Sequence, residues 1–475
     1  MKRHSPSIIY YNCMNGLLKW LTTAAAVVLP GCVNLLFAQQ QTFSLAVLID
    51  SASHHLPVLL QKQAMINSAR ANETDVRHQF LPKLTAGDEV SVGSANDVAG
   101  TYLPFSGVIH ATSAGIRGEN NYQAQTGNIV SLYGEYELVN FGLRGAKINN
   151  AIAYTQVQQA DYDRELYLLK WQISKLYFDI LKTRYQLAVD EQNMERYQSV
   201  YAIIKALAGS GVKAGVDSSL AKAELSKSRV GYNQRSGDLA QLRQQLSYLS
   251  GIPAAIINID TVTQQLNIAA AVTGTDSLNN PLLKYYTQQT VLYRSTEELV
   301  KKSYLPKIML AAGGWGRGSS IQFNDHYQSL ADGLGYQRFN YAAGIGITYD
   351  LFNGTHRKDK LAVSRYQIAA AGYAQQQQQL ALNNTAVQAD TAIATASHNL
   401  LELPVQLQAA SDAWKQKTAQ YKAGMINLVD LTNATFVLYT AQLQYAEALN
   451  AWYVANLGKA AATGNLDLFI QSLKN

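Results

Sequence analysis

Residues 421–434 read YKAGMINLVDLTNA, a helical stretch interrupted by Gly424. Far earlier in the chain, 212–223 reads VKAGVDSSLAKA, with Gly215 in the matching place. A helix end calls for a residue in the left-handed conformation, and Gly adopts it at least cost. Lys422 and Lys213, each two positions before its Gly, suit the negative end of a helix dipole. Gly424 and Gly215 therefore mark two hairpin tips, near 421–427 and 209–216. The earlier tip offers only Asp217 as a nearby acid, so the two are not mechanically equivalent.

The echo is part of a larger duplication. FLPKLTAGDEVSVGSA (80–95) matches YLPKIMLAAGGWGRGS (304–319), and GEYELVNFGLRGAKINNA (134–151) matches GITYDLFNGTHRKDKLA (346–362). With the tips, three matches run in the same order, which marks an internal repeat. Residues 39–250 form the first copy, 251–284 a linker, 285–460 the second copy and 461–475 a tail.

Each copy follows one plan. A helical lead-in (about 44–79, then 285–303) stops at Leu-Pro-Lys, because Pro cannot continue a helix and extends the residue before it. Two extended segments follow, about 82–96 and 127–141 in the first copy, 306–317 and 339–352 in the second. Polar, Gly-rich loops separate them. In 128–140, Val130, Leu132, Tyr136 and Leu138 share one face, while Ser131, Glu135 and Glu137 share the other. In 340–351, Tyr341, Ile345, Ile347 and Leu351 oppose Asn340, Thr348 and Asp350. That alternation is expected of a strand with one lipid face and one wet face, which makes Glu135, Glu137 and Asp350 candidates for a lumen. Segment 84–94 fits less cleanly, because Asp88 shares the face of Val90 and Val92.

Long helices come next, about 143–208 and 355–421, each roughly 100 Å at the α-helical rise. Leu169, Ile173, Leu176 and Ile180, then Leu187, Met194 and Tyr201, follow coiled-coil spacing. Pro404 is expected to kink the second helix. The Gln run 375–379 reads as a solvated helix face.

The first 38 residues combine Lys2, Arg3, the apolar run LTTAAAVVLPGCVNLLFA (21–38) and a small-residue site at Ala38. They read as a secretory signal peptide cleaved near Ala38. A second reading takes LPGC (29–32) as a lipoprotein box with Cys32 acylated. Both cysteines, Cys13 and Cys32, lie in this segment, so cleavage at Ala38 leaves no thiol. It also removes three Lys/Arg and no Asp/Glu, and the net charge falls from +6 to +3. No basic, aromatic-rich patch points to nucleic acid. His54, His55 and His78 lack zinc spacing, AGSG (208–211) lacks the Lys-Ser/Thr of a P-loop, and no catalytic constellation stands out. No cofactor is expected.

Four strands cannot close a membrane barrel, whose smallest natural forms have about eight. An open sheet edge in lipid leaves backbone groups unpaired, at a cost of about several kcal/mol each. Chains must therefore pool strands. Helices continuous with those strands would extend the barrel as a tube. The competing reading is a structural or adhesive periplasmic coiled-coil protein, which does not explain alternating strand pairs in both copies.

The chain resembles the TolC family of outer-membrane channels in efflux and type I secretion. The resemblance rests on the duplicated strand–strand–helix plan, the two LPK segments, LFNG (351–354) and above all YKAGMINLVDLTNATFVLY (421–439). It implies a mainly α fold with a β-barrel part. Four transmembrane strands per protomer would form a twelve-stranded barrel in a homotrimer, set in outer-membrane lipid above a periplasmic tunnel of coiled-coil hairpins. An equatorial region would come from 251–284 and the tail. Its partners would be a periplasmic adaptor and an inner-membrane pump of RND, ABC or MFS type, with Gly215, Gly424, Lys213 and Lys422 at the docking tips. Tyr421 matches a family latch residue and Asp430 an acidic pore position. Asn433 stands where a second acid is typical, and Ile426 where a basic latch residue can occur. Losing that acid implies weaker cation selectivity.

Overall fold

In the computed structural model of the chain, residues 42–94, 96, 118–210, 214–259, 279–322 and 325–473 are described. The signal-peptide segment 1–38 with Cys32, the tip residue Lys213 and most of the linker 251–284 lie outside that set.

Proline sets the boundaries. The lead-in helix expected over 44–79 is two helices, α1 (Leu45–His55) and α2 (Pro57–His78), preceded by a short strand β1 (Thr42–Phe43). Pro57 occupies the first position of α2, where its missing N–H costs nothing, and forces Leu56 into extended geometry (ψ 119°). Pro82 follows α2, and β2 (Lys83–Gly93) starts on the next residue. Antiparallel β3 (Gln125–Val139) returns, and α3 (Leu143–Gly209) runs 67 residues before α4 (Gly215–Ser250) folds back along it. A two-residue strand β4 (Asn258–Ile259) pairs in parallel with β1.

The second copy repeats this order. It comprises α5 (Pro281–Ser303), β5 (Lys307–Ser319), a small hairpin β6 (Ile321–Gln322) and β7 (His326–Tyr327), then β8 (Arg338–Thr348), α6 (Asn353–Lys422) and α7 (Leu428–Thr463). A last short helix, α8 (Leu466–Ser472), follows. Helix α6 continues through Pro404 for its full 70 residues. No described helix is long and apolar enough to cross a membrane.

The four long strands form one antiparallel sheet in the order β2-β3-β5-β8. Register fixes its faces. Lys83 pairs with Glu135, Asp88 with Val130, Leu132 with Gly314, and Gly314 with Tyr341. Because side chains alternate along every strand, Leu84, Val90, Val92, Val130, Leu132, Phe339, Tyr341, Ile345 and Ile347 share one face. On it Tyr341 is 91% exposed and Ile347 72%. The opposite face carries Lys83, Thr85, Glu89, Ser131, Glu135 and Asn340. Asp88 falls on the apolar face, where the hydroxyl of Tyr336 donates to its carboxylate at 2.9 Å.

One strand expectation is corrected. Strand β8 ends at Thr348, so Asp350 is not a lumen-facing strand residue. Its Oδ1 instead accepts the N–H of Phe352 at 3.3 Å, a turn that leads into α6. Glu135 stays on the polar face, paired with Lys83 Nζ at 3.2 Å. Glu137 stands where a β-bulge shifts the β3–β5 register.

The main core lies midway along the long helices. Leu48, Ile173, Ile180, Leu246, Leu457 and Leu466 are fully buried there, and Phe178 stacks on Tyr453 with ring centroids 4.8 Å apart. Helix α8 contributes Leu466, Phe469 and Ile470, so the tail is part of this girdle.

The two tip glycines differ. Gly424 has φ 75°, whereas Gly215 is the first residue of α4 and is absent from the left-handed set. Gly215 thus opens α4 without a left-handed backbone, and Ala214 (φ −65°, ψ 141°) caps the helix. Gly424→Ala should destabilise its tip by about 1 kcal/mol, and Gly215→Ala, whose Cβ meets nothing within 4 Å, should be neutral or slightly stabilising. Hydrogen exchange of the two tips, compared with wild type, checks both.

Candidate functional site: the hairpin tips

The end of α6 is closed by a paired hydrogen-bond pattern. Met425 N–H donates to the Gln420 carbonyl at 2.9 Å and Gly424 N–H to the Tyr421 carbonyl at 3.0 Å. This is the Schellman arrangement, which requires a left-handed residue at the Gly424 position. Three residues later Asn427 caps α7, its Oδ1 accepting the Asp430 N–H at 2.9 Å. The YKAGMIN segment thus ends one helix and caps the next within five residues, Ala423 to Asn427. Lys422 closes α6 with the charge the dipole favours.

Tyr421 points inward. It is 6% exposed and packs with Ile204, Ala221, Leu428 and Leu431. Those residues come from α3, α4 and α7, so the ring joins the two hairpins of the protomer. Burial raises its hydroxyl pKa above the ordinary tyrosine value, and the Asp217 carboxylate adds to the rise. Asp217, in the first turn of α4, is the acid that the earlier tip brings to this ring.

Asp430 and Asn433 are exposed on α7. Both line a groove of about 740 Å³ between α7 and α4, which α4 borders with Leu220, Glu224 and Lys227. Ile426 packs on the Tyr421 cluster, an apolar role that suits its side chain.

The floor of the groove holds a tie that the apolar pattern did not foretell. Asp190 of α3 is 2% exposed, accepts the Tyr439 hydroxyl at 2.7 Å and meets Arg235 Nε at 3.2 Å. One carboxylate therefore links α3, α4 and α7. Burial, then the bond to Asp190, pushes the Tyr439 hydroxyl up to about 12. The buried seam of α3 here runs Thr183, Gln186, Asp190, Asn193 and Tyr197. Of the apolar spacing, Leu187 and Tyr201 flank this seam, partly buried and packed against the neighbouring clusters.

A second feature lies on the outside of α6. Tyr366, Tyr373, Leu380, Val387, Ala394 and Leu401 recur every seven residues and are all exposed. Tyr366 is 78% exposed and Leu401 70%. Heptad spacing is the signature of a helix seam, and no other element among the described residues covers it. The spacing was available in the sequence.

A half-apolar sheet with two open edges, continuous with long helical hairpins, defines an outer-membrane channel protomer. The chain belongs to the outer membrane efflux protein family, whose model matches residues 48–252 and 277–465. It is an exit duct of tripartite efflux systems, set in the outer membrane with a periplasmic extension. Solved channels share the fold. The CmeC channel of Campylobacter jejuni is 14% identical, with 89% of this chain and 86% of that one covered at a TM-score of 0.71. The outer membrane protein VceC of Vibrio cholerae is 14% identical over 88% and 96%, at 0.69. The open state of Neisseria gonorrhoeae MtrE is 19% identical over 89% of each chain, at 0.67. No curated protein matches by sequence.

Arg235→Leu should destabilise the α3/α4/α7 contact by about 3 kcal/mol, because it strands a buried carboxylate. Tyr439→Phe should cost about 1 kcal/mol. The raised Tyr439 pKa means that its contribution is complete below pH 10 and is lost as pH rises through about 12. Denaturant unfolding of wild type and both variants, repeated across that window, checks the order and the sign; Tyr439→Phe should flatten the alkaline loss.

Proposed function

We propose that three copies of this chain close a twelve-stranded barrel and a helical tunnel that carries exported solutes from a periplasmic adaptor and an inner-membrane pump to the exterior. The carrying observation is the sheet's two edges. All 11 residues of β2 and all 11 of β8 are exposed, and each strand pairs on one side only. Both strands bear the apolar face, so in lipid their free backbone groups need a partner. A neighbour's opposite edge supplies it. The α6 heptad stripe extends the same contact down the tunnel. The tips, with Gly215, Gly424 and Lys422, are the docking end for the adaptor. A purely structural coiled-coil protein would have no use for a sheet of this kind.

Within the tunnel, Tyr421 and Asp217 hold the two hairpins of a protomer together, and three Asp430 carboxylates around the axis form one acidic ring. Like charges at such a constriction repel each other and attract cations. Asn433, uncharged, leaves that ring single, so cation selectivity and divalent block should be modest.

Planar-bilayer recordings test both parts. Wild type should form cation-preferring channels, and Asp430→Ala should lower that preference by a factor of about two or more. Unchanged selectivity would remove Asp430 from the pore. Absence of any conductance would contradict the duct itself.

A further inference from the structure

At the membrane-facing ends of the helices, charge runs against the helix dipole. An N-terminus favours anions, yet α3 and α6 have no acid in their first turns. Cations stand near both starts: Arg144 in the first turn of α3 with Lys147 behind it, and Arg357 and Lys358 in the second turn of α6, followed by Asp359. Both copies of the repeat carry a cation pair within the first six residues of the helix that follows the sheet. Among the described residues none of these four cations has a carboxylate at ion-pair distance. Arg144 and Lys147 lie over the Phe80 ring at 5.8 and 5.3 Å. The side chain of Lys302 reaches the α3 cap, its Nζ 4.0 Å from where a Gly142 Cβ would stand.

Exposed apolar side chains sit beside these charges. Phe352 is 93% exposed, Leu351 79%, and Phe141 49%. Phe141 also holds a left-handed φ of 48°, a conformation costing about 1–2 kcal/mol for a residue with a Cβ. The strained junction turns an aromatic ring outward at the level where the strands' apolar face ends. In water alone, neither the exposed rings nor the cations at helix N-termini are favoured. At a bilayer's edge both are: rings settle at the headgroup level, and cations meet phosphate.

We propose that this foot of the barrel is a seat for anionic phospholipid headgroups of the periplasmic leaflet, held by Arg144, Lys147, Arg357 and Lys358. The proposal rests on the membrane-sheet reading and adds a lipid class to it. Charge complementarity and continuity with the apolar sheet face commit it to lipid. In the trimer the foot would repeat as a belt, with two cationic helix starts from each protomer.

The test is lipid enrichment by the full-length protein in vesicles of phosphatidylethanolamine mixed with phosphatidylglycerol. After mild extraction, wild type should keep phosphatidylglycerol about tenfold over its bulk share, and the enrichment should fall as salt rises. The variant with Arg144→Gln, Lys147→Gln, Arg357→Gln and Lys358→Gln should fall to the bulk ratio. The charge-keeping pair Arg144→Lys and Arg357→Lys should hold it. Wild type without enrichment, enrichment indifferent to salt, or enrichment intact in the neutral variant would each overturn the proposal. Insertion is scored separately, by flotation with the vesicles: protein that never inserts overturns the membrane reading as well, whereas insertion without enrichment overturns only the lipid seat.

Discussion

A strand edge in hydrocarbon is the constraint on which the rest of this structure depends. Backbone N–H and C=O groups without partners cost about several kcal/mol each in lipid, and β2 and β8 each present a full row. Among the described residues the sheet has four long strands, too few for the protomer to satisfy them. Everything below the sheet is consistent with a chain whose shape is completed by its neighbours. The long helices leave a heptad stripe uncovered, and the protomer's main core forms a girdle midway down, with smaller buried clusters toward the tips.

Duplication supplies the plan, and local chemistry then separates the copies. Both carry a proline-started strand, a returning strand and a helical hairpin. Among the described residues, the second tip carries the left-handed glycine of a Schellman turn, with Asn427 capping the next helix. The first tip contributes Asp217 and Ala221 to the pocket around Tyr421. The pair works as one joint built from unequal halves.

The strands, the long helices and the tips were legible in the sequence because each has a strong local cause: Pro at a boundary, period-two alternation, Gly after Lys. Three things were hidden, each for a physical reason. Asp350 alternated correctly yet lies beyond the strand, since its carboxylate is used to start a helix. Gly215 sits in a matching motif but has a helical backbone, and a motif does not report φ. The polar part of the α3 seam was missed because its buried members include Gln186, Asp190 and Asn193. Asp190 is buried only because Arg235 and Tyr439, distant in sequence, meet it, and apolar periodicity is blind to such partners. The Tyr366–Leu401 stripe, by contrast, lay open to a count of sevens.

The most direct test of the account is the number of chains in the detergent-solubilised particle, measured by native mass spectrometry. Edge pairing through β2 and β8 predicts a particle of three chains that holds together until the sheet is denatured. A stable monomer or dimer that still conducts would contradict it.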